Sequence, residues 1–316
     1  MTTFVVYMIR IRRVEFRIAE IPIFAIPVLL LLPDATPLRT VGFWEGLFLF
    51  FLLFAYGDVV NCLADRDLDA RYKRHLHEAV YGLGVRFVTV QAWVMAALAL
   101  VVAAHLGWLT DRWLLVPLVA AGLLLGYAYS VAPLRLKSRG PWNFACVWAV
   151  VFVGPMLLAA FVVADRPSAL VVATAGAFGF IQEGIIGVNS AEDYVEDRES
   201  GVRTLAVALG LHRAVSVALL AIVVGGLSLL ATVGWSLAAH DVPPAGWLAS
   251  VPVAVACAGA ALWVARLRRG IAGLGIDNSV ARVKAAARLV PLWLTVVAWA
   301  TLTAAAVAFL AHDPRN

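Results

Sequence analysis

Long apolar runs recur along the whole chain, separated by short polar loops. Each run holds about 20 residues, the length that a helix needs to cross a hydrocarbon core of roughly 30 Å. The pattern predicts an all-α, polytopic membrane protein with about nine transmembrane helices in a single bundle. The predicted spans are 16–33, 42–64, 86–106, 113–134, 141–163, 168–191, 212–236, 245–267 and 288–311.

The first predicted span is the weakest of the nine. It is short and contains one acid, Glu20, and two prolines, Pro22 and Pro27. Each proline removes a backbone donor from the helix, so neighbouring helices have to satisfy the freed backbone groups.

The composition excludes a water-soluble globule. Hydrophobic residues make up 63% of the chain, charged residues 14%, and the mean hydropathy is +0.89. Of the 25 Lys and Arg residues, 21 fall on the side of the N-terminus when the loops are assigned alternately to the two sides of the membrane. This asymmetry predicts a cell-membrane protein whose N-terminus is cytosolic.

The excess of basic residues and the three cysteines do not change the prediction of a membrane protein. The pI is near 9.4, but the bases follow the topology, which favours anionic membrane lipids and an anionic substrate as partners rather than nucleic acid. The three cysteines, Cys62, Cys146 and Cys257, show no metal-type spacing. We interpret them as small apolar residues in a reduced setting.

A pattern of one amide and two acids occurs twice at the ends of predicted spans. Its members are Asn61, Asp65 and Asp69 in the first copy and Asn189, Asp193 and Asp197 in the second, each pair 128 residues apart. Four predicted spans separate the copies, so both are expected on one face of the membrane. We therefore predict a single domain over 1–316, with half-repeats of four helices at roughly 16–134 and 141–267 and a final helix at 288–311.

The spacing Asn-x3-Asp-x3-Asp places three polar side chains on one side of a helix, because each step of four residues drifts by only about 40°. Two such helix ends facing each other would gather four carboxylates and two amide oxygens, which repel unless a cation lies between them. Mg²⁺ prefers such oxygen ligands and is usually completed by substrate phosphates. The alternative, two ordinary solvated loops, does not explain the repeated offset.

Cations that could hold an anion follow other spans on the same predicted face. Any one of them is explained equally well as a topology charge, but together with metal ions they would bind a diphosphate. A diphosphate at the edge of a lipid-exposed bundle suggests an isoprenyl diphosphate, whose metal-assisted loss leaves an allylic cation. The predicted diphosphate ligands are Lys73, Arg74, Arg135, Lys137 and Arg203.

The two motifs, the segment "YSVAPLRLK" and the segment "EDYVEDRESGVRTLAVALG" together resemble the UbiA superfamily of intramembrane prenyltransferases over the whole chain. The resemblance implies that both motifs bind Mg²⁺, as two ions with Mn²⁺ as the alternative metal, together with a prenyl diphosphate. It also implies an aromatic or lipid-like acceptor for the prenyl group. The implied catalytic acids are Asp65, Asp69, Asp193 and Asp197.

Two departures from the family pattern lie at and after the first motif. Cys62 follows Asn61 where family members commonly have aspartate, and "KRHLHEAVYGLG" replaces a basic, proline-containing segment. That segment helps to shape the cap over the substrate in the family. The acceptor class therefore stays open at this point.

Polar residues within the spans are functional candidates by default. We interpret Asp58, one turn before Asn61, and Glu183, about two turns before Asn189, as candidates for a pocket that holds the acceptor or the cation. Tyr129 is a third candidate, with an ordinary interfacial tyrosine as the alternative.

Three functions remain open on the sequence alone. An intramembrane prenyltransferase explains the motifs, the cations and the resemblance. A terpene cyclase, in which the double bonds of the prenyl chain capture the cation without an acceptor, uses the same first step. A transporter is the third reading, but transporters place coupling carboxylates near the membrane midplane, whereas the motifs lie at the ends of spans.

Overall fold

The computed structural model describes residues 3–312, which form α-helices joined by short turns. In that part of the chain the β-type pairing is limited to an isolated bridge between Arg139 and Arg203, which confirms the predicted all-α class. The helices in chain order are α1 Thr3–Arg10, α2 Arg17–Leu29, α3 Val41–Asp65, α4 Asp69–Tyr72, α5 Arg74–Leu83, α6 Val85–Thr110, α7 Leu115–Ser130, α8 Pro141–Val147, α9 Gly154–Val163, α10 Ala169–Glu192, α11 Tyr194–Glu199, α12 Leu205–Leu209, α13 Leu211–Ala239, α14 Ser250–Ile271, α15 Ile276–Ala287 and α16 Val290–His312.

Seven of the nine predicted spans are long and apolar enough to cross a membrane in the described part of the chain. The other two helices are shorter, because α2 has 13 residues and contains both prolines, and α7 has 16 residues. At 1.5 Å per residue they are about 20 and 24 Å long, less than the roughly 30 Å of a hydrocarbon core. By length and composition, the described part of the chain therefore has seven candidate spans, and the other two of the nine predicted spans are the shorter helices α2 and α7. The seven are α3, α6, α10, α13, α16, the α8 to α9 stretch Pro141–Val163 and the stretch Pro244–Ile271.

The chain packs as two compact units. The first unit comprises Met1–Arg17 and Leu38–Lys137, and the second comprises Ile18–Pro37 and Ser138–Asn316. The segment Ile18–Pro37, which the predicted half-repeats assign to the first half, packs with the second unit. The organisation as one domain with two half-repeats stays a prediction.

In the first unit, α3 packs against α6 and α7, and α1 packs against α5. Thr40 is the N-cap of α3, and its Oγ1 accepts a hydrogen bond of 3.3 Å from the Phe43 backbone N–H. Tyr7 of α1 approaches the backbone of α5 so closely that a Cβ on Gly82 would lie 2.2 Å from its ring. The N-terminal segment is thereby anchored beside the loop that carries the first motif.

In the second unit, α10 packs along α13 with close backbone contact. A Cβ on Gly225 would lie 2.4 Å from the backbone nitrogen of Ile181, and a Cβ on Gly184 would lie 2.8 Å from the carbonyl oxygen of Ala218. Only glycine allows the two helices to approach this closely. The contact holds α10, and therefore the second motif at its end, firmly against the longest helix of the unit.

Candidate active site

The first motif lies where α3 gives way to α4. Asn61 and Asp65 occupy the last turn of α3, three turn residues follow, and Asp69 begins α4. The backbone of Arg66 and Leu68 keeps helical dihedral angles through this turn. The motif is thus divided between two helices, although the sequence predicts one continuous helical face.

Two cations and one hydroxyl contact the first motif. Lys137 donates from Nζ to Asn61 Oδ1 at 2.8 Å and also to Asp65 Oδ2. Arg135 donates from Nη2 to Asp65 Oδ1 at 3.0 Å, and Ser130 donates from Oγ to Asn61 Oδ1 at 3.2 Å. The side chains of Lys137 and Asp65 are each 14% exposed, so water screens their ion pair only weakly. The structure therefore brings two of the predicted diphosphate ligands onto the motif itself.

The surroundings of Asp69 and Lys137 shift the pKa of both side chains. Burial, followed by the negative charge of Asp65, raises the pKa of Asp69 to about 6, and the positive charge of Lys73 opposes this shift. Burial lowers the pKa of Lys137, and the charge of Asp65 opposes that shift in turn. The negative charge of Asp65 thus acts on both Asp69 and Lys137.

The remaining predicted residues of the first unit have varied surroundings. Asp58 Oδ2 accepts a hydrogen bond of 2.5 Å from Arg17 Nη2, so this acid is part of an ion pair. Arg74 forms an ion pair of 2.9 Å with Glu78 and its side chain is 82% exposed, so the structure does not bring it to Asp65. Tyr129 is half-buried, one residue before the hydroxyl that contacts Asn61.

The second motif likewise crosses a break between helices. Asn189 lies near the end of α10, Asp193 caps it, and Asp197 lies in α11. The Asp197 N–H donates to the Asp193 carbonyl oxygen at 2.8 Å, and the Val202 N–H donates to the Asp197 carbonyl oxygen at 2.8 Å. These backbone hydrogen bonds hold the loop after α10 in a compact turn that carries both Asp193 and Asp197.

Three polar residues beside the second motif complete its surroundings. Lys284 of α15 donates from Nζ to Glu196 Oε1 at 2.9 Å, and this hydrogen bond raises the pKa of Lys284. The side chain of Arg203 is exposed, and its carbonyl oxygen accepts a hydrogen bond of 2.6 Å from the Gly140 N–H. That bond ties the loop after the motif to the start of α8.

Glu183 is deeply buried in α10. Its side chain is 2% exposed, and Oε2 has no hydrogen-bond partner among the described residues. Six residues of helix separate it from Asn189, which turns it by about 120° from the side of the motif. It shares its side of α10 with Gly176 and Gly179, the side that Trp148 covers. Glu183 and Asn189 therefore lie on different sides of α10, and a role for Glu183 in a pocket stays a prediction.

Several contacts of the site were missed by the sequence analysis. Arg17 and Lys284 were counted there only as topology charges, and Ser130 was not singled out. The one available signal was for Ser130, which stands within "YSVAPLRLK", the segment that carries part of the resemblance. The pairings of Arg17 and Lys284 span 41 and 88 residues, and no local pattern reports such contacts.

The donor atoms fit a hard divalent cation. Each motif offers an amide oxygen and carboxylate oxygens, the ligands that Mg²⁺ prefers. Between residues 3 and 312 no three His, Cys, Asp or Glu side chains are grouped closely enough to hold a metal ion by themselves. A metal at either motif therefore needs ligands beyond those side chains, such as the amide oxygen, water or a phosphate.

Long apolar helices with paired acidic motifs at their ends define a multi-pass integral membrane protein. The chain belongs to the UbiA prenyltransferase family, because the model of that family matches residues 21–270. This finding confirms the family that the motifs predict.

Individual relatives agree with the family. The bacteriochlorophyll synthase 33 kDa chain of Cereibacter sphaeroides is 36% identical over 37% of this chain and 38% of its own length. The chloroplastic chlorophyll synthase of Oryza sativa subsp. japonica is 28% identical over 51% of this chain and 43% of its own. The matched segment thus spans less than half of each synthase.

A solved structure supports the fold over almost the whole chain. It is a UbiA homolog from Archaeoglobus fulgidus bound to GPP and Mg²⁺, and it has a TM-score of 0.63 with 17% identity, covering 92% of this chain and 99% of its own. At this identity the likeness establishes the fold. The metal and the prenyl diphosphate are features of that homolog.

Proposed function

We propose that this protein transfers a prenyl group from an isoprenyl diphosphate to an aromatic or lipid-like acceptor and releases diphosphate. The observation that carries the proposal is the contact of Arg135 and Lys137 with Asn61 and Asp65. It joins oxygen donors suited to a hard cation with cations suited to a phosphate. Membership of the family supports the same reaction.

The proposed metal ligands are the amide and carboxylate oxygens of both motifs, which would hold two Mg²⁺ ions, with Mn²⁺ as the alternative. The metal supplies Lewis-acid stabilisation of the leaving diphosphate. The structures of the archaeal homolog with Mg²⁺ and GPP or DMAPP support this metal. The proposed ligands are Asn61, Asp65, Asp69, Asn189, Asp193 and Asp197.

The proposed diphosphate ligands are Arg135 and Lys137, with Lys73 and Arg203 beside the two motifs. Their charges would stabilise the negative charge that grows on the leaving group as the carbon–oxygen bond breaks. Arg74 is left out of this set, because its guanidinium pairs with Glu78 and is largely exposed.

Glu183 stays our candidate for the pocket that holds the acceptor or the allylic cation, about two turns before Asn189 and on a different side of α10. Trp148 donates from its indole nitrogen to the Gly176 carbonyl oxygen at 3.1 Å, and the rings of Phe144 and Phe180 lie 5.6 Å apart. Aromatic faces stabilise cations, and a buried carboxyl adds negative charge or accepts a proton. The names of the two synthases, which refer to chlorophylls, support an aromatic acceptor.

The reaction is tested with purified protein in detergent, Mg²⁺ and prenyl diphosphates of several chain lengths, with and without aromatic acceptors. Diphosphate release and mass spectrometry of the products are measured together. We expect a prenylated acceptor and little turnover when the acceptor is omitted. A cyclic hydrocarbon or terpene alcohol formed without acceptor would instead identify a terpene cyclase and overturn the transferase.

A further inference from the structure

We propose that Lys137 and a divalent metal compete for the same oxygens of Asn61 and Asp65. The first motif then binds metal tightly only when the ammonium group of Lys137 pairs with a bound diphosphate instead. The inference rests on the proposed function, because it presumes that these oxygens are metal ligands. It adds a regulation of that site, namely a block on metal uptake without substrate. All the residues concerned belong to one compact unit.

The acceptor oxygen of Asn61 is fully used, and both carboxylate oxygens of Asp65 already accept a hydrogen bond. An asparagine side chain has one acceptor oxygen with two lone pairs, and Asn61 Oδ1 accepts from both Lys137 Nζ at 2.8 Å and Ser130 Oγ at 3.2 Å. Asp65 uses Oδ2 for Lys137 and Oδ1 for Arg135. A metal that binds Asn61 Oδ1 must therefore displace one of these donors.

Of the two donors to Asn61 Oδ1, the charged Lys137 is the one that a metal ion would displace. Its ammonium group contacts both Asn61 and Asp65, so it lies between the two oxygens that would bind one metal ion. Two cations cannot share that position, because their repulsion is large where burial limits screening. Ser130 is neutral and donates only to Asn61, so it does not oppose a metal in this way.

The two basic side chains differ in how easily they move away. The ammonium group of Lys137 lies at the end of a flexible four-carbon side chain. The backbone of Lys137 belongs to the short 3₁₀ turn Leu136–Ser138. Arg135 has a left-handed backbone, with a φ of 36°, and its N–H donates to the Val131 carbonyl oxygen at 2.9 Å. Because Arg135 donates to the other carboxylate oxygen, Oδ1, we expect it to keep its contact with Asp65 while Lys137 exchanges Asp65 Oδ2 for a phosphate oxygen.

The competition makes metal and diphosphate binding cooperative. A diphosphate offers Lys137 a new anionic partner, which frees two oxygens for the metal and leaves the ammonium paired. By linkage, the metal must strengthen diphosphate binding by the same factor. Metal alone would bind the motif weakly, so the enzyme would not hold a tightly bound metal before its substrate arrives.

The test measures Mn²⁺ binding to the full-length protein in nanodiscs by electron paramagnetic resonance, with and without inorganic diphosphate. Lys137→Met and Lys137→Gln remove the charge, and the glutamine variant keeps a hydrogen-bond donor that supports the fold. We expect both to bind Mn²⁺ roughly tenfold more tightly than the wild type without diphosphate. We also expect diphosphate to raise their Mn²⁺ affinity by a much smaller factor.

Two controls separate charge at this position from a general effect. Lys137→Arg keeps the charge and should bind Mn²⁺ as weakly as the wild type. Arg268→Met removes an exposed cation that donates to Ser216 Oγ at 2.8 Å, and it should leave Mn²⁺ binding unchanged. Size-exclusion profiles and thermal unfolding verify that each variant is folded.

The outcomes distinguish the inference from the function on which it rests. If Asp65→Asn weakens Mn²⁺ binding but neither neutral variant of Lys137 strengthens it, the competition is overturned and the metal site stands. If Asp65→Asn changes neither Mn²⁺ binding nor diphosphate release, the proposed function fails as well. Tighter binding in both neutral variants, with Lys137→Arg unchanged, supports the inference.

Discussion

The guanidinium of Arg17 lies 2.5 Å from the carboxylate of Asp58, across 41 residues of sequence. The same guanidinium donates to the Arg12 carbonyl oxygen at 2.6 Å. The side chains of Arg17 and Asp58 are 20% and 23% exposed, so water reaches the pair only in part. The contact ties the N-terminal segment to α3 one turn before Asn61.

We predict that this ion pair contributes to stability. A double-mutant cycle with Arg17→Met and Asp58→Asn should give a coupling energy of about 1–2 kcal/mol, between the values typical of exposed and of buried pairs. Unfolding is followed by denaturant titration in detergent micelles. Additive effects of the two substitutions would contradict the prediction. Arg74→Met with Glu78→Gln serves as the exposed control pair and should show weaker coupling.

The acids of the two motifs should be needed for activity. Asp65→Asn and Asp193→Asn keep the side-chain volume but remove a charge, so we expect diphosphate release to fall at least roughly a hundredfold. Asp67→Asn is the matched control, because its carboxylate is 71% exposed and accepts a hydrogen bond of 2.6 Å from Tyr81. A loss of activity in the control as large as in the motif variants would argue against a specific metal site.

Glu183→Gln tests the proposed cation pocket. The substitution keeps the shape of the side chain, and Oε2 of the wild-type carboxyl has no hydrogen-bond partner among the described residues. The free energy of unfolding should therefore change by less than about 1 kcal/mol. We expect kcat to fall roughly tenfold or more with KM for the prenyl diphosphate unchanged. Steady-state kinetics measures kcat and KM, and an unchanged kcat would assign Glu183 a structural role.

Both motif loops should face the cytosol. We predict that a cysteine introduced at Asp67 or at Glu199 reacts with a membrane-impermeant maleimide in inside-out vesicles, and that a cysteine at Asp165 reacts only in right-side-out vesicles. The three native cysteines are first replaced by serine or alanine. Opposite labelling of the Asp67 and Glu199 positions would show that an odd number of crossings separates the motifs, which would place α7 outside the membrane-spanning set.

The sequence by itself determined the class of the fold, the family and the location of the two motifs. Helices and bilayer spans follow from local apolar periodicity and run length, so α3 and α10 lie where the hydrophobic pattern predicts them. The repeat of Asn61 and Asp65 at Asn189 and Asp193 is visible as spacing alone. These features depend on residues near one another in the chain, which is why they are readable without a structure.

Only the tertiary structure decided which charges meet. Arg135 and Lys137 pair with Asp65 across 70 and 72 residues, whereas Arg74, predicted for the same task, pairs with Glu78 one turn away. Asp58 forms an ion pair with Arg17, and Glu183 lies on the side of α10 where Trp148 contacts Gly176, because helix packing sets the direction of each side chain. Ion pairing depends on distances between helices that are remote in sequence, and spacing along one helix contains no information about them.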